Sequence, residues 1–243
     1  MVLDAGREFV VKFNVKNHRI AAGTTGIACV DSPNKGGKLE PRFLVIHYTA
    51  SGPDADIARY FAQKDARVSA HLVVRRDGSA TQCVPFNRVA WHAGASDWIG
   101  KDGRRYSGLN NWAIGIEIEN WGALRKNGDG WLSWTGALVD GTKVIKACHK
   151  SGAPDGGWEV FTAEQTETVV AAARAICAAY AIEDIVGHDD IAPKRKSDPG
   201  PAWDMGGFKA KVLGVAGEGD AVAMLQSKGG SRIQQSKKTS ASQ

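Results

Sequence analysis

The stretch "FLVIHYTA", residues 43–50, is apolar at every position up to His47, so both faces of the strand it forms must be covered. A strand buried on both sides belongs in the middle of a sheet, with other elements packed above and below it. The remaining segments agree with that demand. "SGPDADIARYFAQ" carries Pro53 where a helix would begin, with Ile57, Tyr60 and Phe61 at helical spacing. "SAHLVVRRDGSATQCVPF" reads as two strands joined by a tight turn at Asp77-Gly78. "WAIGIEIENW" alternates with period two: Ile114, Ile116 and Ile118 face one way, Gly115, Glu117 and Glu119 the other. "FTAEQTETVVAAARAICAAYAI" is a helix whose Thr162 and Gln165 form a capping box. Its buried stripe is Val169, Ala173, Ile176, Cys177 and Tyr180. Strands interleaved with helices define an α/β fold: a single domain with a mixed β-sheet and helices on both faces.

The domain is expected over residues 37–213, with an N-terminal extension (1–36) and a polar, mobile C-terminal tail (214–243). Between Asn120 and Gly157 the chain is rich in Gly, Trp and Lys, and a helix is expected around Gly136–Lys150. Composition bounds the function without choosing it. Of 243 residues 43% are hydrophobic, enough for a core, and the net charge of +5 suits an anionic polymer as partner. The basic residues are dispersed and form no nucleic-acid-binding module. Four cysteines without CxxC pairing argue against a disulfide framework or a zinc knuckle. The N-terminal stretch lacks the pattern of a secretory signal, and no window is apolar for long enough to insert in a membrane. Cytoplasmic synthesis and a monomer are expected.

Charge is concentrated in "GHDDIAPKRKSDPGP", residues 187–201, where prolines and glycines forbid regular structure. His47 ends its apolar strand and is followed at once by polar residues, which places an imidazole at the sheet rim; His188 follows "IEDIV" in the same way. His47, His188 and Asp198 make a three-ligand zinc set with a fourth position open. Lys196 lies two residues before Asp198 and projects the same way in an extended segment, where it would meet a developing oxyanion. Glu117 is the candidate proton acceptor and Glu119 the fallback. The competing readings remain a salt-bridged loop for the first set and a solvated strand face for the glutamates.

Five segments in order, "FLVIHYTA", "SAHLVVRRDG", "VPFNRVAWHAGAS", "AIGIEIEN" and "GHDDIAPKRKSDPGP", resemble the zinc-dependent N-acetylmuramoyl-L-alanine amidases. Their fold is shared with peptidoglycan-recognition proteins and phage lysozyme-like amidases. The likeness spans roughly residues 40–210 and is nearest the AmpD-like branch. It implies zinc on His47, His188 and Asp198, a general base at Glu117 and an oxyanion-stabilising cation at Lys196. The reaction it implies is cleavage of the amide between the lactyl group of N-acetylmuramic acid and L-alanine. Trp91 and His92, within "AWHAG", are implied near the substrate groove. Arg75 and Arg76 are candidates for stem-peptide carboxylates or, equally, a solvated hairpin end. His71, inside a strand, is expected in the core or behind the ligands. Trp121, Trp131, Trp134 and Trp158 suit a glycan-facing rim or core packing alike. The role expected first is a phage- or prophage-type endolysin acting on polymeric peptidoglycan in the cell wall after release. The alternatives are a cytosolic amidase recycling soluble anhydro-muropeptides and a non-catalytic peptidoglycan-binding module.

Overall fold

The computed structural model describes residues 12–22, 27–152 and 156–214. The expected mobile tail falls almost wholly outside them, as do the first 11 residues. Four strands open the described residues: β1 (Phe13–Lys16), β2 (Arg19–Ala22), β3 (Ala28–Cys29) and β4 (Lys35–Lys38). The buried segment forms β5 (Phe43–Tyr48), followed by α1 (Ile57–Phe61), β6 (Leu72–Val74) and β7 (Ala80–Gln82). Next come β8 (Arg88–Ala90), the β9 (Asp97–Ile99) and β10 (Arg105–Ser107) hairpin, and β11 (Ala113–Ile118). A second group of strands follows: β12 (Ala123–Asn127), β13 (Gly130–Leu132), β14 (Leu138–Val139), β15 (Val144–Ala147) and β16 (Gly156–Glu159). The described residues close with α2 (Ala163–Ala179), β17 (Asp184–Gly187), α3 (His188–Ile191) and α4 (Met205–Leu213).

The central sheet has the order β17-β5-β11-β6-β7-β3. It is mixed, because β5 runs parallel to β11 and β17, β6 parallel to β11, and β7 antiparallel to β6. Period-two alternation divides it as the sequence requires. Leu44, Ile46, Ile114, Ile116 and Ile118 pack on one face against Val169, Ala173 and Ile176 of α2 and Phe208 of α4. Phe43, Val45 and Ala113 point the other way, toward Tyr106 and Leu109 and toward Ile191 of α3. On the same side Ala58 and Phe61 of α1 cover Val73. The two longer helices thus lie on one face and short helices and a hairpin on the other. The capping box of α2 forms as expected, with the Gln165 N–H donating to the Thr162 hydroxyl at 3.1 Å.

Three expectations change. The first helix starts at Ile57, not near Pro53, because the Asp56 side chain caps it by accepting from the Arg59 N–H. No helix forms over 136–150. Instead β14-β13-β12-β16-β15 make a five-stranded sheet, in which β-branched Val144 and Ile145 pair with Glu159 and Trp158. Asp140 caps only a single tight turn at Gly141–Lys143. Part of the segment ahead of residue 37 is woven into the domain, since β3 pairs with β7 and Ile20 joins the core.

Candidate active site

Register alone brings the central side chains together. Glu117 on β11 is paired directly with His47 on β5, and Gly187 on β17 with Ile46, so His188 emerges one step further on. His47 and Glu117 share the sheet face opposite α2, at the carboxyl ends of parallel strands, where crevices form in α/β sheets. The crevice is a cleft of about 380 Å³ lined by Tyr60, Trp91, Glu117, His188, Lys196 and Asp198, among others.

The irregular loop after β17 owes its shape to the charges that the sequence concentrates there. The Asp189 N–H donates to the Asp198 carbonyl at 2.7 Å, closing the loop so that Asp198 faces His188. Arg195 donates from Nη2 to the carbonyls of Ala93 (2.7 Å) and Ala95 (2.8 Å), pinning the loop to the "AWHAG" segment. Asp189 is held by His149 at 3.0 Å and by Lys150 at 2.8 Å, both from beyond β15. Tyr48 and Ser197 exchange a hydroxyl hydrogen bond at 2.7 Å.

Three atoms converge in the centre. His47 Nδ1 and His188 Nδ1 are 2.9 Å apart, and each is 3.0 Å from Asp198 Oδ2. The far side of each ring fixes where its proton is. His92 Nε2 faces the Ala113 carbonyl at 3.2 Å and must donate to it, so a neutral His92 has a bare Nδ1. His47 Nε2, 2.9 Å from that Nδ1, must then carry the proton and donate. His188 Nε2 donates to the Ala93 carbonyl at 3.1 Å. Burial, with repulsion from His188, lowers the His47 pKa to about 4; burial likewise pushes His92 well below the usual range. Both rings are therefore neutral near pH 7. With the His188 ring in its neutral form as well, two bare imidazole nitrogens and a carboxylate oxygen would meet at the centre, and a cation would join them. A tetrahedral ion with bonds of ~2.0–2.1 Å would hold such ligands about 3.3 Å apart. The observed separations are close to that, and the donor set fits a metal.

Glu117 adjoins this centre. Burial, and then repulsion from Asp198, raises its pKa well above the ordinary carboxylate value, while Lys196 pulls it back. Its buried Oε2 has no hydrogen-bond partner among the described residues. A carboxylate so placed readily accepts a proton. The solvated-face reading therefore fails for Glu117. Glu119 is buried too, but its neighbours are Arg75 (3.6 Å) and Arg76 (4.0 Å), and it is not among the cleft residues.

The remaining candidates separate. Trp91 is on the cleft wall and 37% exposed. His92 borders the cleft, but both its ring nitrogens are engaged inside the protein, which leaves none for substrate. Its ring packs against Gly115 of β11, where a Cβ would come within 2.5 Å of it, so the glycine is required there. His71 is fully buried, accepting from the Gly115 N–H and donating to the Arg88 carbonyl. Arg75 is not brought into the cleft; Arg76 holds Glu159 at 2.8 Å. Arg195 had no signal in the sequence beyond its charge, because its partners lie a hundred residues away.

A mixed sheet carrying two imidazoles and a carboxylate on one centre, beside a proton-hungry glutamate and a lysine, defines a hydrolytic enzyme site. The chain belongs to the N-acetylmuramoyl-L-alanine amidase family, whose profile matches residues 37–201. It is 36% identical over 192 residues to the 1,6-anhydro-N-acetylmuramyl-L-alanine amidase AmpD of Salmonella typhimurium, covering 71% of this chain and 81% of that one. It also resembles the N-acetylmuramyl-L-alanine amidase AmiD of Escherichia coli, solved with anhydro-N-acetylmuramic acid-L-Ala-D-γ-Glu-L-Lys. There the TM-score is 0.52 and the identity 26%, over 82% of this chain and 65% of that one. A Clostridium intestinale endolysin amidase matches with TM-score 0.50 and 20% identity, over 77% of this chain and 95% of that one, a likeness of fold alone. The protein is an amidase of peptidoglycan, and the similarity to AmpD and AmiD favours the recycling alternative over the endolysin expected first. No helix among the described residues is long and apolar enough to cross a membrane.

Proposed function

We propose that the protein is a zinc-dependent amidase that cleaves soluble anhydro-muropeptides between the muramic lactyl group and L-alanine, in the cytoplasm. The observation that carries the metal is the convergence of His47 Nδ1, His188 Nδ1 and Asp198 Oδ2, each within 3.0 Å of the other two. Similarity to AmpD supports the soluble substrate. When bound, zinc supplies Lewis acidity toward the scissile carbonyl and toward water.

The chain's own groups do the rest. Glu117 takes the proton from the attacking water and returns it to the leaving amine of L-alanine, so the carboxyl ends as it began. Lys196 faces the carbonyl oxygen as it gains negative charge. Trp91 and Tyr60 form cleft walls that orient the substrate and exclude water. The test compares purified enzyme on intact sacculi and on the soluble anhydro-muropeptide, with products identified by mass. Rapid release of free tripeptide from the soluble substrate and slow release from sacculi is the expected result. The reverse order would restore the endolysin reading.

A further inference from the structure

Four tryptophans lie between residues 121 and 158, and the fold treats them differently. Trp131 and Trp158 are buried in the five-stranded sheet, Trp131 against Leu124 and Val139, Trp158 stacked on His149. Trp134 is 72% exposed, yet it is not loose. Its indole N–H donates to the Ala50 carbonyl at 2.7 Å. Ala50 lines the catalytic cleft and lies three residues after His47, within about 10–11 Å along the chain. Its φ of 52° is in the left-handed region, which a non-glycine residue keeps only when its surroundings fix it.

The turn that presents Trp134 is equally well fixed. Ser133 is fully buried; its N–H donates to the Ala137 carbonyl at 2.9 Å, and its hydroxyl accepts from the Ala137 N–H at 3.1 Å. The same hydroxyl meets that of Thr135 at 2.9 Å, and Gly136 completes the turn at φ 87°. The polar edge of the indole is thus satisfied by the protein, and its broad apolar face is left open at the cleft rim. An aromatic face carries negative charge density and attracts the weakly positive C–H groups on the face of a pyranose ring. With its entropy already spent by the turn, such a side chain binds at little further cost.

We propose that Trp134 is a saccharide subsite at the edge of the cleft, so that the preferred substrate bears a further sugar on its muramic residue. This rests on the muropeptide reading above. The placement rests on Ala50: it lines the same cleft as Glu117, His188 and Asp198, and Trp134 is bonded to it, so the indole adjoins the cleft in which the scissile amide would lie.

The test uses two soluble substrates, anhydro-N-acetylmuramyl tripeptide and the same molecule with N-acetylglucosamine attached to the muramic residue. Wild type should prefer the disaccharide in kcat/KM. Trp134→Ala should lose about fivefold to tenfold on the disaccharide, mainly in KM, and change little on the monosaccharide. Trp134→Phe, which keeps a ring but no N–H, should recover part of the loss. A binding readout is independent of turnover: the Trp134 indole N–H resonance, assigned by its absence in Trp134→Phe, should shift on titration with N-acetylglucosaminyl-anhydro-N-acetylmuramic acid. Equal losses on both substrates, or no loss with an unmoved resonance, would overturn the subsite. A shifted resonance without hydrolysis of either substrate would uphold it and sink the amidase reading instead.

Discussion

Replacing Glu117 by glutamine should make the enzyme slower and the protein more stable. The side chain is isosteric with its replacement, so packing on β11 is preserved, and only the ionisation is lost. Glu117 faces the cleft with an orphaned buried oxygen, and burial plus the Asp198 charge resist its ionisation. Glutamine inherits the unpartnered position but cannot ionise, so what the substitution removes is the cost of a charge buried beside Asp198, about 1.4 kcal/mol for each pKa unit of upward shift. For a domain of this size each kcal/mol is worth ~2–4 °C, so Glu117→Gln should raise Tm by several degrees. The comparison belongs in chelator-treated protein, where the carboxyl has no metal nearby.

The sign can be tested further with pH. A carboxyl whose folded pKa is raised contributes stability that is fully present below its unfolded value near 4.5 and lost as pH rises through the folded value. The Tm gap should therefore be closed near pH 4 and open as pH rises above 4.5. In the zinc-loaded enzyme kcat should fall by about 10²–10⁴ with metal content unchanged. Glu119→Gln, behind the Arg75 and Arg76 side chains, should stay within a few fold of wild type. A lower Tm for Glu117→Gln at pH 7.5, or a near-normal kcat, would refute the reasoning.

Lys196→Met keeps the aliphatic stem and deletes the charge, and should lower kcat by about 10²–10³ while zinc stays bound, as checked by metal analysis. His92→Phe frees the His47 ring to choose its other tautomer, and should weaken zinc binding by about 10- to 100-fold in chelator competition. Gly115→Ala, whose methyl would displace the same His92 ring, should weaken it in the same direction. His71, lowered to about 4 by burial, must charge when the protein unfolds in acid. A depressed histidine contributes stability that is present above its unfolded pKa near 6.5 and lost as pH falls through the folded value. Urea melts should show a loss approaching about 3 kcal/mol by pH 4, with a flatter profile in His71→Gln.

The centre was legible because its parts lie where local pattern speaks. His47 closes an apolar run, Glu117 shares its strand with alternating isoleucines, and His188 and Asp198 occupy one loop. The register that sets Glu117 beside His47 follows from two strands that each bury both faces. What lay beyond local pattern was missed. Residues 136–150 carry alanines and lysines that suit a helix, yet Val144 and Ile145 find strand partners in β16 and the sheet wins. The part His92 plays depends on Ala113 and His47, and that of Arg195 on Ala93 and Ala95, none of them near in sequence. The tryptophans could not be sorted by sequence at all. Exposure of Trp134 and burial of Trp131 follow from the turn at Ser133–Gly136, which reverses the chain between β13 and β14.

The central claim is that His47, His188 and Asp198 hold the zinc with which this chain hydrolyses the muramyl–L-alanine amide. The most direct measurement is mass spectrometry of anhydro-N-acetylmuramic acid-L-Ala-D-γ-Glu-L-Lys after incubation with metal-free protein titrated with zinc. Free tripeptide and anhydro-N-acetylmuramic acid should appear in proportion to zinc up to one equivalent, and His47→Ala and His188→Ala should release neither. Tripeptide release at full rate from verified metal-free protein, or cleavage at any other bond, would contradict the account.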